Sequence, residues 1–133
     1  MPNFEHMRIS DLAGTRVFVT GASTGIGAAV ARAFAAQGAH VVAHFNRSKA
    51  AAEALRAEWP DRIELIQGEL GEPGAASSVV QAAANMLGGL DGLVNNAGGM
   101  LGRIASTDMP PGHFDEVVNL NARSVWEATV AAH

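Results

Sequence analysis

Thr20-Gly21-Ala22-Ser23-Thr24-Gly25-Ile26-Gly27 sets three glycines between an apolar stretch and an alanine-rich one, and the chemistry this spacing suits is the holding of phosphate. Gly21 lets the chain turn sharply off a strand, Gly25 lets backbone approach a ligand, and Gly27 lets a helix pack closely on a sheet. The N–H groups that open such a helix have no partner within it. With the positive end of the helix dipole, they favour a pyrophosphate there. An ordinary strand-to-helix turn uses the same residues, so the elements around the loop decide between the two.

Those elements alternate. Val17-Phe18-Val19 reads as a strand whose unbroken apolar run suits a parallel sheet buried on both faces. The helix after Gly25 carries Ile26, Val30 and Phe34 at spacings of four, with alanines between for close packing, and Gly38 stops it. Residues 39–45 form the second strand. Ser48 is placed to cap the next helix, which Pro60 ends, and residues 63–67 form the third strand. After the turn Gly71-Glu72-Pro73-Gly74, residues 75–87 form a helix with Val79, Ala83, Met86 and Leu87 inward, and residues 90–95 form the fourth strand. A long loop, Gly98 to Gly112, precedes a final helix over 113–133, on which Trp126 and Val130 share one face as core or interface residues. Regular alternation predicts an α/β fold: a Rossmann-type doubly wound parallel sheet flanked by helices, reached by right-handed crossovers.

Composition narrows the chemistry. The 133 residues make one domain, 48% hydrophobic, with a net charge of −4 and nine basic residues spread along the chain, so no basic stripe for nucleic acid exists. No apolar run approaches the ~18 residues of a membrane span, and Met1 to Ser10 lacks the apolar core of a signal peptide. A cytoplasmic location is the default expectation. Zero cysteines exclude disulfides and thiolate chemistry. His40 and His44 share a strand face without convergent carboxylates, so they read as solvated or packed rather than as metal ligands, and no metal site is expected.

Three separated motifs resemble one family, the short-chain dehydrogenase/reductases. Thr20 to Gly27 resembles the T-G-x-x-x-G-x-G cofactor loop, Asn95-Asn96-Ala97-Gly98 the N-N-A-G signature after the fourth strand, and Phe114 to Trp126 the helix bearing the catalytic asparagine. The resemblance runs from about Leu12 to the end and implies a Rossmann-fold oxidoreductase that moves hydride between a nicotinamide cofactor and a carbonyl or alcohol. It implies the strand order 3-2-1-4 for the strands present, contacts from Gly21, Ser23, Thr24, Gly25, Ile26 and Gly27 to the cofactor phosphates and adjoining ribose, and a nicotinamide-side wall of Asn95, Ala97 and Gly98. Asn96 is expected to brace the sheet against the first loop. For the catalytic asparagine, Asn119 and Asn121 are both candidates. The position seven residues after Phe114, followed by Arg123-Ser124-Val125-Trp126, favours Asn121. In the family this residue helps kink its helix and position a water in a proton relay, a place suited to low helix propensity.

Cofactor choice falls at the end of the second strand. NAD-preferring relatives place there a carboxylate that would repel a 2′-phosphate. This chain has Phe45, followed by Asn46, Arg47, Ser48 and Lys49, which suit a phosphate through charge-assisted bonds and a helix start. The same residues also suit a solvated turn capped by Ser48. NADP(H) is therefore the expected cofactor, with NAD(H) as the alternative. Where the family has Asp and an apolar residue beside the adenine, the chain has Glu69-Leu70, and Glu69 is expected to accept from the adenine amino group on a longer arm.

The family's general acid or base is the tyrosine of a Tyr-x-x-x-Lys motif. This chain has no tyrosine, and its one lysine, Lys49, belongs with the cofactor cluster. Two expectations follow: the chain is the amino-terminal piece of an NADP(H)-dependent oxidoreductase, inactive alone, or it is a non-catalytic nucleotide-binding or interaction module. The apolar ending Val130-Ala131-Ala132-His133 favours the first. The partners expected are a small carbonyl or alcohol substrate in a longer form, and a second copy or the missing carboxyl-terminal part along the fourth strand's open edge.

Overall fold

The computed structural model describes residues 8–133; Met1 to Met7, the larger part of the expected surface lead and of the stretch weighed as a signal peptide, lie outside the described residues. After a short 3-10 turn at Ser10–Leu12 the elements run β1 (Arg16–Val19), α1 (Gly25–Ala36), β2 (His40–Phe45), α2 (Lys49–Glu58), β3 (Ile63–Gln67), α3 (Ala75–Leu87), β4 (Gly92–Val94), α4 (Pro111–Val118), a π-helical turn (Asn119–Arg123) and α5 (Ser124–Ala131). The four strands form one parallel sheet in the order β3-β2-β1-β4. Val17, Phe18 and Val19 stand opposite Val41, Val42 and Ala43 on one side and Gly92, Leu93 and Val94 on the other.

Side-chain alternation along β1 divides the interior into two layers. Val17 and Val19 join Val41, Ala43, Leu55 and Ile63 beneath α1 and α2. Phe18 and Val42 join Val79, Val80, Ala83 and Ala128 beneath α3 and α5. Each fully buried Phe or Val, as at Val17, Phe18 and Val19 of β1, removes enough apolar surface from water to contribute about 1.5–3 kcal/mol.

Several expectations change at the level of faces and ends. The inner face of α1 is made of Gly27, Ala28, Ala31 and Ala35; Val30 and Phe34 flank it half-buried, and Ile26 is 76% exposed. This helix lies too close to the sheet to seat anything larger than a methyl group beneath it. On α3, Val79 and Ala83 are buried, whereas Met86 is exposed, because Val80 and Ala76 complete the inward stripe. Ser48 stands at the N-cap position of α2, yet its side chain makes no capping bond and only its carbonyl accepts, from Ala52 N–H. β4 is three residues long rather than six. Its pairing ends because Asn96 N–H and Ala97 N–H both donate to the Thr20 hydroxyl instead of to a strand.

The final helix starts at Pro111, where a missing N–H costs nothing, and widens into a π turn at Asn119–Arg123 before α5. α5 is tied to α3 through Glu127, whose carboxylate accepts the Gly74 N–H at 3.0 and 3.1 Å and so caps a helix start that carries no side-chain cap of its own. Trp126 and Val130 are 66% and 60% exposed, so they are not core residues of this chain. No helix among the described residues is long and apolar enough to cross a membrane.

Candidate functional site

The carboxyl ends of β1, β2, β3 and β4 open into one cleft of about 480 Å³, lined by Gly21, Ser23, Thr24, His44, Phe45, Asn46, Arg47, Ser48, Glu69, Leu70, Asn96, Ala97, Gly98, Leu101 and Leu120. The loops after β1 and β4, neighbouring strands in the sheet, meet across the floor of the cleft. Gly21 has φ +62°, and a Cβ there would stand 2.9 Å from Ala97 Cα. Gly27 carries the complementary constraint: its Cβ would stand 2.1 Å from the Gly21 carbonyl oxygen. Gly25, at φ +57°, has open space where a side chain would be. The backbone there is therefore bare toward solvent and not toward protein. Thr24 is the N-cap of α1 in extended conformation and makes no side-chain cap bond, so the first-turn N–H groups keep their donors for something else.

The loop after β4 is held by the loop after β1. Thr20 Oγ1 accepts from Asn96 N and Ala97 N at 3.0 and 2.9 Å, and Asn96 Nδ2 donates to the Gly21 carbonyl at 2.9 Å. Asn96 thus braces the two loops, as its position in the sequence led us to expect. Asn95 faces elsewhere: its amide donates to Thr129 Oγ1 on α5, and it is not part of the cleft wall. Gly25, Ile26 and Gly27 also lie outside the lining, at the start of α1.

Of the two asparagines, Asn121 is the one joined to the glycine loop. Its Oδ1 accepts the Gly99 N–H at 3.0 Å, and its Nδ2 donates to the Gly99 and Val117 carbonyls at 2.7 and 2.8 Å. A Cβ on Gly98 would stand 2.7 Å from that same Oδ1. Asn121 lies in the π turn, where the wider helix leaves backbone room for a side chain to reach Val117. Both amide hydrogens are committed to carbonyls. A water at this side chain would be held by the remaining lone pair of Oδ1.

The opposite wall holds the cofactor-choice residues. Phe45 ends β2 buried, and Arg47 and Ser48 are exposed on the turn that leads into α2. The three ion pairs among the described residues, Arg16–Asp91, Arg32–Glu58 and Arg56–Glu53, leave Arg47 to the cleft. Glu69 does not extend freely: its Oε2 accepts from Asn46 Nδ2 at 2.8 Å and its Oε1 from Gly71 N–H at 3.4 Å. The carboxylate is therefore turned onto the turn after β2.

Sequence reasoning missed three members of the wall: Leu101, in left-handed conformation at φ 54°, Leu120, and His44. His44 is 3% exposed. The Gly21 N–H donates to its Nδ1 at 3.0 Å, so that nitrogen is bare; Nε2 then carries the proton and donates to the Gly68 carbonyl at 2.9 Å. Burial holds the imidazole below its ordinary value, against the opposing bond to Gly68 and the charge of Glu69. A polar residue inside an otherwise apolar strand was the available signal. His40, on the same strand, is exposed at the far end, and among the described residues no three His, Cys, Asp or Glu side chains gather.

Residues 15–133 match the short chain dehydrogenase family profile. The chain belongs to the short chain dehydrogenase family. It is 38% identical over 128 residues to an oxidoreductase, itself uncharacterized, of Methylorubrum extorquens, covering 93% of this chain and 51% of that one. A short chain dehydrogenase from Burkholderia cenocepacia, solved in complex with NADP, superposes with a TM-score of 0.80 at 37% identity, covering 91% of this chain and 50% of the other. An NADH-dependent reductase complexed with NAD superposes with a TM-score of 0.85 at 31% identity, covering 92% and 52%. The chain thus spans about half the length of the short chain dehydrogenases it matches, and the parallel 3-2-1-4 sheet is the part they share.

Proposed function

We propose that residues 1–133 form a single dinucleotide-binding domain, the NADP(H)-binding portion of a short chain dehydrogenase that interconverts a carbonyl and an alcohol. One observation carries the reading. The cleft runs from Thr24, at the uncapped start of α1 and next to the bare Gly25 backbone, to a turn holding Arg47, with no carboxylate at Phe45. In this reading the first-turn N–H groups of α1, with Ser23 and Thr24, take the pyrophosphate; Gly21, Gly25, Ile26 and Gly27 keep the backbone close to it. Asn46, Arg47 and Ser48 take the 2′-phosphate, which a cation and hydroxyl suit and a carboxylate would repel. Glu69 steadies Asn46 while Leu70 lies against the adenine, and Ala97 and Gly98 form the nicotinamide side, with Asn95 behind them holding their loop to α5.

When bound, the nicotinamide gives or takes the hydride. The chain's own contribution is to hold and orient it, with Asn121 fixing Gly99 and offering Oδ1 to a water on the proton path. No tyrosine is present to move the proton at the substrate oxygen, and Lys49 sits by the 2′-phosphate turn. The 133-residue chain is therefore proposed to bind cofactor without turnover, in a cytoplasmic setting and as a self-associating species. The test is Gly25→Val. The variant should keep its overall fold by circular dichroism and lose NADPH binding, because its side chain would fill the open space beside the backbone and a β-branched residue is strained at φ +57°, which moves the loop from the phosphate. Retained binding would remove the cofactor from this loop.

A further inference from the structure

We infer that His44 is a positioning residue for the nucleotide cofactor, one that sets the distance between the phosphate loop and the opposite wall of the cleft. The inference rests on the NADP(H) reading above and adds a residue to it. Gly21 is held through both of its peptide groups, its N–H by His44 Nδ1 and its carbonyl by Asn96 Nδ2. Through Nε2 the same ring holds the Gly68 carbonyl, immediately before Glu69 and Leu70. A single rigid imidazole therefore spans from the first glycine of the loop after β1 to the end of β3.

No backbone ladder does this work. β1 and β3 are not neighbours in the sheet, since β2 lies between them, so no backbone bond joins their loops directly. The Ala22 N–H bond to the His44 carbonyl and the Gly68 N–H bond to the Phe45 carbonyl bring both loops to β2, and the ring then ties them together across it. Gly68 adds a second constraint: a Cβ there would stand 2.7 Å from Val79 Cγ1 and 3.9 Å from the His44 ring. The ring, the glycine and α3 are packed as one unit, and the ring's lining position puts it against whatever occupies the cleft.

Two substitutions separate positioning from packing. His44→Asn keeps an amide oxygen where Nδ1 stood and can still accept from Gly21 N–H, although it is smaller than the ring. His44→Leu fills more of the volume and accepts nothing. NADP+ titrated calorimetrically into the chain at neutral pH should bind His44→Asn, which loses only the Gly68 bond, about three- to tenfold more weakly than the unaltered chain, and His44→Leu, which loses both bonds, at least about thirtyfold more weakly, the scale of one and of two hydrogen bonds. The ring nitrogens of the 15N-labelled chain should report a proton on Nε2 and none on Nδ1.

The reverse order of the two variants, or equal affinity for both, would overturn the inference while leaving the cofactor reading intact. Failure of the unaltered chain to bind NADP+ would instead remove the reading on which it rests, and the inference with it. Should His44→Leu not fold, the ring decides: a proton on Nδ1 is incompatible with the Gly21 bond and overturns the assignment.

Discussion

Asn121 and Asn119 stand two residues apart in one helix, and their environments separate them. Asn121 makes three bonds that tie the π turn to Gly99 and Val117, whereas the side chain of Asn119 makes none of the bonds that hold the glycine loop. Asn121→Ala should therefore lower stability by about 1 kcal/mol or somewhat more, since exposed hydrogen bonds are partly replaced by water. Asn119→Ala should leave stability within about 0.5 kcal/mol of the parent. Urea unfolding followed by Trp126 and Trp59 fluorescence checks both. Equal losses would mean that the amide of Asn121 does not hold the loop. Spacing from Phe114 is what singles out Asn121 in the sequence, but its bonding has no such signal: an asparagine's partners depend on the π turn, and nothing local in the sequence marks where a helix widens by one residue.

Among the elements, those with sharp chemical ends were legible and those ended by tertiary contacts were not. The bounds expected for β3 and α3 agree with the structure, because Pro60, Gly68, Gly74 and Gly88 punctuate them; Gly74 and Gly88 adopt left-handed conformations at either end of α3. β4 is shorter than its apolar run suggests because its end is set by Thr20, in the turn after β1. On α1 the alanines expected to pack closely form the inner face with Gly27, Val30 and Phe34 flank the core half-buried, and only Ile26 leaves the expected apolar row, because the close approach at Gly27 turns the first turn of the helix outward at that position. The buried His44 couples these elements to pH. Its folded-state value is depressed by burial, so as pH falls below the ordinary imidazole value of 6.5 the unfolded chain takes up the proton first. Stability from this group is therefore full above about pH 6.5 and declines as pH falls through the depressed value. Urea midpoints measured across that window should drop more steeply for the parent than for His44→Asn. Parallel profiles would show that the ring titrates alike in both states. Asp91 acts lower: Arg16 holds its carboxyl down to about 2 by a hydrogen-bonded pair at the start of β1. Its contribution is present above the ordinary 3.8 and is lost as pH falls toward 2, outside the window assigned to His44.

For the whole molecule, the sheet order leaves β4 at an edge, and the surface of α4 and α5 carries Phe114, Val118, Trp126 and Val130, all exposed and recurring at spacings of four on each helix. An open strand edge and such an exposed apolar row each favour pairing with another chain. Sedimentation should accordingly detect concentration-dependent association that Trp126→Glu weakens; a monomer at all concentrations would contradict this. The central claim, however, concerns the cleft, and the most direct test is a pair of calorimetric titrations of the chain, one with NADPH and one with NADH. NADPH should bind the more tightly, and Arg47→Asp should weaken NADPH about 10–100-fold while changing NADH far less, the scale of charge-assisted hydrogen bonds to a 2′-phosphate. Absence of binding by either nucleotide, or equal losses for both in Arg47→Asp, would contradict the account.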